Sequence, residues 1–203
     1  PIMFVARSFD INKPGITPEK LVGGVLGGSL KQGIMKIDDT IEIRPGRVVI
    51  EKNQQVWKPL TTKITSLISG GENLGQVGPG GSIGLLTSLD PSIVKSDQLT
   101  GSVVGLPGKL PQVWNELVLD VHLLQRAVGT KEELNVEPIK MAEVLMLNVN
   151  SAATVGIVIE LRKNKIKCRL KLPVCADAGA RVTISRRIGN RFRLIGYGEI
   201  VEK

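Results

Sequence analysis

Thr154-Val155-Gly156-Ile157-Val158-Ile159-Glu160-Leu161 places Val155, Ile157, Ile159 and Leu161 on one face of an extended chain, as a half-buried strand requires. Arg162-Lys163-Asn164-Lys165 then supplies a polar turn. Beyond it, Ile166, Cys168, Leu170 and Leu172 resume an apolar face, while Lys165, Lys167, Arg169 and Lys171 take the other. This is the pattern of a β-hairpin. A second hairpin is expected around Gly189-Asn190, entered by Val182 and Ile184, and residues 116–124 alternate with Leu117, Leu119, Val121 and Leu123 on one side. In the first half, strands are expected at residues 2–9, 20–30, 40–44, 48–51, 61–68, 82–87 and 101–104. Turn-rich stretches separate them: Lys13-Pro14-Gly15, Arg44-Pro45-Gly46, Gly70-Gly71 and Gly78-Pro79-Gly80-Gly81. Only Thr17-Pro18-Glu19 and Asp90-Pro91 carry a helix-start signal, a cap residue before proline. Many short strands with frequent turns predict an all-β chain of sandwiches or barrels, and closure into a barrel removes exposed edges.

The 203 residues suit one large domain or two small ones. Gly105-Leu106-Pro107-Gly108-Lys109-Leu110-Pro111 is the best boundary, giving domains at 1–109 and 110–203. Aromatics are only 3% of the chain, so the cores must be built from Val, Ile and Leu, residues that fit pleated surfaces. The net charge of +8 suggests a polyanionic partner. The excess is concentrated: residues 162–198 hold eleven basic side chains against one acid, Asp177.

Several classes are excluded as expectations. The apolar run at 21–30 is half the length of a membrane span, and no basic-then-apolar leader is present, so neither membrane insertion nor secretion is expected. Cys168 and Cys175 form no CxxC pair and His122 is the single histidine, which argues against zinc and fits a reduced cytoplasmic protein. No GxxxxGK[ST] phosphate loop and no nucleophile with a local base can be quoted, so the chain is not expected to be an enzyme or to hold a cofactor or metal of its own.

Two basic clusters and a set of glycines remain. Lys165, Lys167, Arg169 and Lys171 recur about every 7 Å along one strand face, close to the spacing of phosphates on a nucleic-acid strand; a solvated outer face accounts for them equally well. Arg186, Arg187, Arg191 and Arg193 surround one turn, and guanidinium forks favour phosphates or carboxylates. They are the stronger candidates for an acidic-partner or RNA surface. Gly23, Gly24, Gly27 and Gly28, with Gly80, Gly81 and Gly84, interrupt strands, which marks either a barrel bend or a close backbone approach.

At this point the chain resembles a known family along nearly its whole length. F-V-A-R-S-F-D-I-N-K-P-G at 4–15, G-G-V-L-G-G-S-L-K-Q-G at 23–33, D-D-T-I-E-I-R-P-G at 38–46 and P-G-G-S-I-G-L-L-T-S-L-D-P at 79–91 look like the gamma subunit of archaeal and eukaryotic translation initiation factor 2. K-L-P-Q-V-W-N-E-L at 109–117, E-V-L-M-L-N-V at 143–149, L-P-V-C-A-D-A-G at 172–179 and S-R-R-I-G-N-R-F-R-L-I-G-Y-G at 185–198 continue the likeness. Elongation and selenocysteine-type factors share the looser layout, and a basic structural RNA-binding barrel protein is a third reading.

The resemblance implies two consecutive antiparallel β-barrels of the translation-factor type, domains II and III, without the family's GTPase domain. GTP, magnesium and the beta subunit would belong to that absent domain. The family implication for partners is the alpha subunit, initiator methionyl-tRNA, the small ribosomal subunit and the chain's own GTPase domain. By position, Val22, Gly23, Gly24, Val25, Gly27 and Gly28, with Gly81, Ser82 and Gly84, match segments that line the tRNA 3′-end site of related factors. Arg7 and Lys13 are near in sequence and are expected to face phosphate.

Overall fold

The computed structural model describes residues 1–130 and 134–202. The chain divides into two compact units, Pro1–Leu110 and Pro111–Lys203. In the first unit the strands are β1 (Ile2–Phe9), β2 (Val25–Gln32), β3 (Met35–Lys36), β4 (Thr40–Glu51), β5 (Gln54–Ser69), β6 (Glu72–Leu74), β7 (Gln76–Val77), β8 (Ser82–Thr87) and β9 (Val103–Gly105). The order β4-β9-β1-β2-β8-β5 closes on itself through the β4–β5 pairing, while β6 adds to β5 and β3 pairs with β7. The second unit holds β10 (Val113–Leu123), β11 (Val144–Val149), β12 (Ala152–Arg162), β13 (Lys165–Cys175), β14 (Arg181–Ile188) and β15 (Arg191–Val201), closed in the order β10-β13-β12-β11-β14-β15. Two antiparallel barrels are therefore the observed fold, as the alternation predicts. Their cores are aliphatic: Met3, Leu26, Ile41, Ile64 and Leu85 in one, Leu117, Leu119, Leu145, Leu147 and Ile184 in the other, all fully buried.

Three strand expectations are corrected, each for a local reason. The strand expected over 20–30 begins only at Val25, because Pro18–Lys20 turns as a 3-10 helix. Arg44-Pro45-Gly46 does not separate two strands; β4 runs straight through it as a bulge, its register jumping between Ile43↔Leu60 and Arg47↔Lys58. Gly46 permits this at φ +87°, and a methyl group there would lie 1.8 Å from the Lys58 carbonyl oxygen. The third lies in residues 154–161. The buried side of β12 is Thr154, Gly156 and Val158, whereas Val155 is half-buried and Ile157 exposed on the outer face. A register shift between Val158 and Glu160 leaves Ile159 as a bulge, after which Leu161 pairs with the inward Ile166. One extra residue inverts the alternation.

Thr154 and Trp114 both find hydrogen-bond partners within the second barrel. The Thr154 hydroxyl donates to the Leu172 carbonyl at 2.8 Å and accepts the Leu172 N–H at 3.0 Å. The Trp114 indole N–H donates to the Ala176 carbonyl at 2.8 Å. Both cysteines are buried, and no disulfide joins them. Burial first, and Glu143 second, push the Cys168 thiol up to about 12. Among the described residues no helix is long and apolar enough to cross a membrane.

A short helix, α1 (Pro91–Val94), and the turn after it lie against β1. Ser8 anchors them: its hydroxyl donates to the Val94 carbonyl and accepts the Leu99 N–H. Asp97 accepts Arg7 Nε at 2.9 Å and the Ser8 N–H at 2.9 Å. The bond from Arg7, then the one from Ser8, hold the Asp97 carboxyl below its ordinary 3.8. A depressed carboxylate stabilises the fold above its unfolded value and loses that contribution as pH falls through its folded one. Replacement Asp97→Asn is therefore expected to lower the melting temperature at pH 7, and the gap from the parent should narrow progressively as pH falls below about 4. A gap that persists unchanged to pH 3 in thermal melts counts against this clamp.

Candidate functional site

In the first unit, β2 pairs with β8 so that Val25 faces Leu86, Gly27 faces Gly84 and Ser29 faces Ser82. Leu26 and Leu85, between these pairs, are fully buried, so the three pairs line the outer face. Gly27 and Gly84 thus sit side by side with no side chain above them. A methyl group at either would meet nothing nearer than 3.8 Å. One end of this strip opens into a shallow hollow of about 550 Å³, lined by Leu21, Val22, Gly23, Leu86 and the 87–91 segment. Asn12 sets its wall. The Asn12 side chain accepts the Val22 N–H at 2.9 Å and donates to the Val22 carbonyl at 2.8 Å, imitating a strand partner.

The structure sorts the nine residues expected at the 3′-end site. Val22, Gly23, Val25, Gly27, Gly84 and Ser82 share the strip or its hollow, and Gly81 lies in the turn before β8 at φ +118°. Gly24 and Gly28 do not belong. A methyl group on Gly24 would lie 2.3 Å from Val94 Cγ2, and one on Gly28 would lie 2.0 Å from the Phe4 carbonyl oxygen. Gly23 is doubly constrained, because its missing side chain also makes room for the Thr87 carbonyl oxygen. Arg7 pairs across β1 with Gly27 and so borders the strip, but its Nε is engaged by Asp97. Lys13 lies in an exposed turn. Leu86 and Asn12 were missed in the sequence; a lone leucine and a lone asparagine carry no signal of a wall.

In the second unit, the basic stripe stands on the outer face of β13, with acids interleaved. Lys167 Nζ lies 2.8 Å from Glu116 and Arg169 Nε 3.6 Å from the same carboxylate. Lys165 pairs in register with Asp120 on β10. Lys171 is exposed. The arginine hairpin is not a uniform surface. Arg186 turns onto the barrel end, where its Nε and Nη2 reach Glu143 and its Nη1 and Nη2 donate to the Glu137 and Pro138 carbonyls at 2.9 and 3.2 Å. Its side chain is 18% exposed and that of Glu143 16%, so the expectation that Arg186 belongs to an open acidic-partner surface is corrected. Arg187 and Arg191 are exposed and Arg193 half-buried, passing over Gly129. Among the described residues no carboxylate pairs with Arg187, Arg191 or Arg193. His122 is exposed and stacks on Tyr197 with ring centroids 5.0 Å apart.

Comparison with known proteins places this geometry. The family model described as "Initiation factor eIF2 gamma, C terminal" matches residues 115–200. The chain is 57% identical over 202 residues to translation initiation factor 2 subunit gamma of Pyrococcus furiosus, covering 100% of this chain and 49% of that protein. It is 56% identical over 200 residues to the same subunit of Methanocaldococcus jannaschii, covering 98% of this chain and 49% of the relative. Among solved structures, a bacterial selenocysteine-specific elongation factor EF-Sec shares the fold, with a TM-score of 0.66 over 98% of this chain and 27% of that one at 19% identity. High identity lies with the initiation factor, and the elongation factor supplies likeness of fold alone. The chain belongs to the family of gamma subunits of translation initiation factor 2, and it spans about half the length of the relatives it matches.

Proposed function

We propose that this chain serves, within a longer GTP-binding factor, to deliver initiator methionyl-tRNA to the small ribosomal subunit in the cytoplasm. Its own part is binding rather than catalysis. The first unit receives the aminoacylated 3′ end on the strip floored by Gly27 and Gly84, with the hollow beside Val22 and Gly23 next to it. The observation that carries this reading is the paired, uncovered glycines, where a ribose or an aminoacyl ester can rest directly on backbone. Arg7 borders the strip and supplies positive charge to a 3′-terminal phosphate. The same unit docks the alpha subunit. GTP, magnesium and the beta subunit are assigned to the family's GTPase domain, with which these residues cooperate. In the second unit, Arg187, Arg191 and Arg193 face an acidic partner of the assembled factor, while Lys165 and Lys167, already matched by acids, form a solvated face.

The test uses a full-length gamma subunit carrying Gly27→Val or Gly84→Val. A valine at either position fits the strand and fills the strip. Affinity for methionyl-tRNA in the presence of a GTP analogue is expected to fall at least about tenfold, roughly the loss of one well-made contact, with an unchanged melting temperature. Unaltered affinity would remove the 3′ end from this strip. Calorimetric titration of the 203-residue chain with the alpha subunit separates the initiation-factor reading from the elongation-factor one, since only the former requires heat and a complex.

A further inference from the structure

The outer face of the second barrel carries apolar residues where a solvated barrel would carry polar ones. Val144 pairs with Ile157 and Met146 with Val155 across β11 and β12. Val144 is 47% and Ile157 45% exposed, and Met141, in the turn before β11, is 56% exposed. Adjacent strands lie about 4.8 Å apart, so these side chains form one strip two strands wide rather than scattered surface hydrophobes. This is the apolar alternation of β12 that the Ile159 bulge leaves outside the core.

Both neighbours of the strip are basic. On β13, Arg169 pairs in register with Ile157, and Lys171 lies one step beyond the Gly156–Leu170 pair. On β14, exposed Arg187 follows the Leu145–Arg186 pair. The strand order β13-β12-β11-β14 therefore reads basic, apolar, apolar, basic across one face. Arg169, at 3.6 Å, shares the Glu116 carboxylate with Lys167, and among the described residues no carboxylate pairs with Lys171 or Arg187. Positive side chains on both rims of an apolar floor complement an apolar segment flanked by acids; a phosphate backbone would use the rims and leave the floor wet.

We infer that this face docks a protein segment with an apolar centre and acidic flanks. The inference rests on the preceding reading only in giving Arg187 an acidic partner; the apolar floor stands without it. The probe is a fluorescein-labelled ten-residue peptide with three acidic residues at each end of four apolar ones, titrated into the 203-residue chain by anisotropy. Saturable binding that weakens with salt is expected, with amide shifts in a heteronuclear spectrum centred on Val144, Met146, Val155 and Ile157. The double variant Val144→Thr, Ile157→Thr keeps β-branched residues at exposed positions and should bind at least about tenfold more weakly. The triple variant Arg169→Gln, Lys171→Gln, Arg187→Gln should lose both affinity and salt dependence. A peptide with the acids replaced by their amides is expected to bind at least tenfold less. Equal binding of acid and amide peptides overturns the proposal, as do shifts confined to other faces. Competition by a short single-stranded RNA that is as strong for the Val144→Thr, Ile157→Thr variant as for the parent would assign the face to nucleic acid and overturn it too. If the apolar variant loses binding while Arg187→Gln alone has no effect, docking stands and the acidic-partner role of Arg187 falls.

Discussion

Gly28→Ala is expected to unfold the first barrel under conditions where Gly27→Ala leaves it intact. The two glycines are neighbours on one strand and chemically identical, but the added methyl at 28 would lie 2.0 Å from the Phe4 carbonyl oxygen and 3.2 Å from Met3 Cε, whereas at 27 the nearest atoms are 3.8 Å away. Phe4 belongs to β1, which pairs with both β2 and β9. Relief of the contact would therefore have to spread into two ladders. Overpacking against a flexible side chain costs about 1–3 kcal/mol; against paired backbone the cost should exceed about 4 kcal/mol, most of the stability of a small domain. Urea titration can be read separately in each barrel, because Trp57 lies in the first and Trp114 in the second. In a Trp114→Phe background, Gly28→Ala should abolish or sharply lower the Trp57 transition while Gly27→Ala shifts it by less than about 1 kcal/mol. Similar transitions for the two variants would refute the close approach of β1 and β2 at this point.

The second large effect is expected at Arg186. Arg186→Ala should destabilise the second barrel by about 3 kcal/mol, because it strands the Glu143 carboxylate in a largely buried position. It also removes two donors from the carbonyls of Glu137 and Pro138, freeing the segment that leads into β11. By contrast, the pair Arg186→Met, Glu143→Leu replaces both charges with apolar groups of similar size and should recover most of the loss. Arg187→Ala, one residue along and exposed, should change stability by less than about 0.5 kcal/mol. Trp114 fluorescence in urea, with Trp57 replaced by Phe, reports each transition. A loss below about 1 kcal/mol for Arg186→Ala would show that water, not Arg186, serves Glu143.

These contrasts mark where reading the chain stops. Alternation is enough to see that residues 154–161 form a strand, and frequent turns are enough to see a barrel. Which face of that strand is buried depends on the Ile159 bulge, and a bulge leaves no mark in an aliphatic run. Pro45-Gly46 has the composition of a turn, yet paired β5 carries it through as a kink. The glycines of 23–28 could be found but not ranked, since the difference between Gly27 and Gly28 lies in how near another strand's carbonyl comes. The four hairpin arginines read alike for the same reason: Arg186 is distinguished by Glu143, Glu137 and Pro138, more than forty residues away. Local rules reach neighbours along the chain and miss partners fixed by closure.

Closure also dictates an order of events during synthesis. β10 is the first strand of the second barrel, and its residues 118–123 pair with 196–201 of β15, the last. The β12–β13 and β14–β15 hairpins can form as they emerge, but β10 must wait for some seventy-five residues before its second neighbour exists. Until then the edge of β10 that will meet β15 carries its ladder groups unmet, a state that invites pairing with other chains. The window for misassembly thus stays open until the final strand has left the exit tunnel. Slowing translation over the β15 codons should lengthen the exposure of nascent β10 to chaperones, while slowing it over β12 should not.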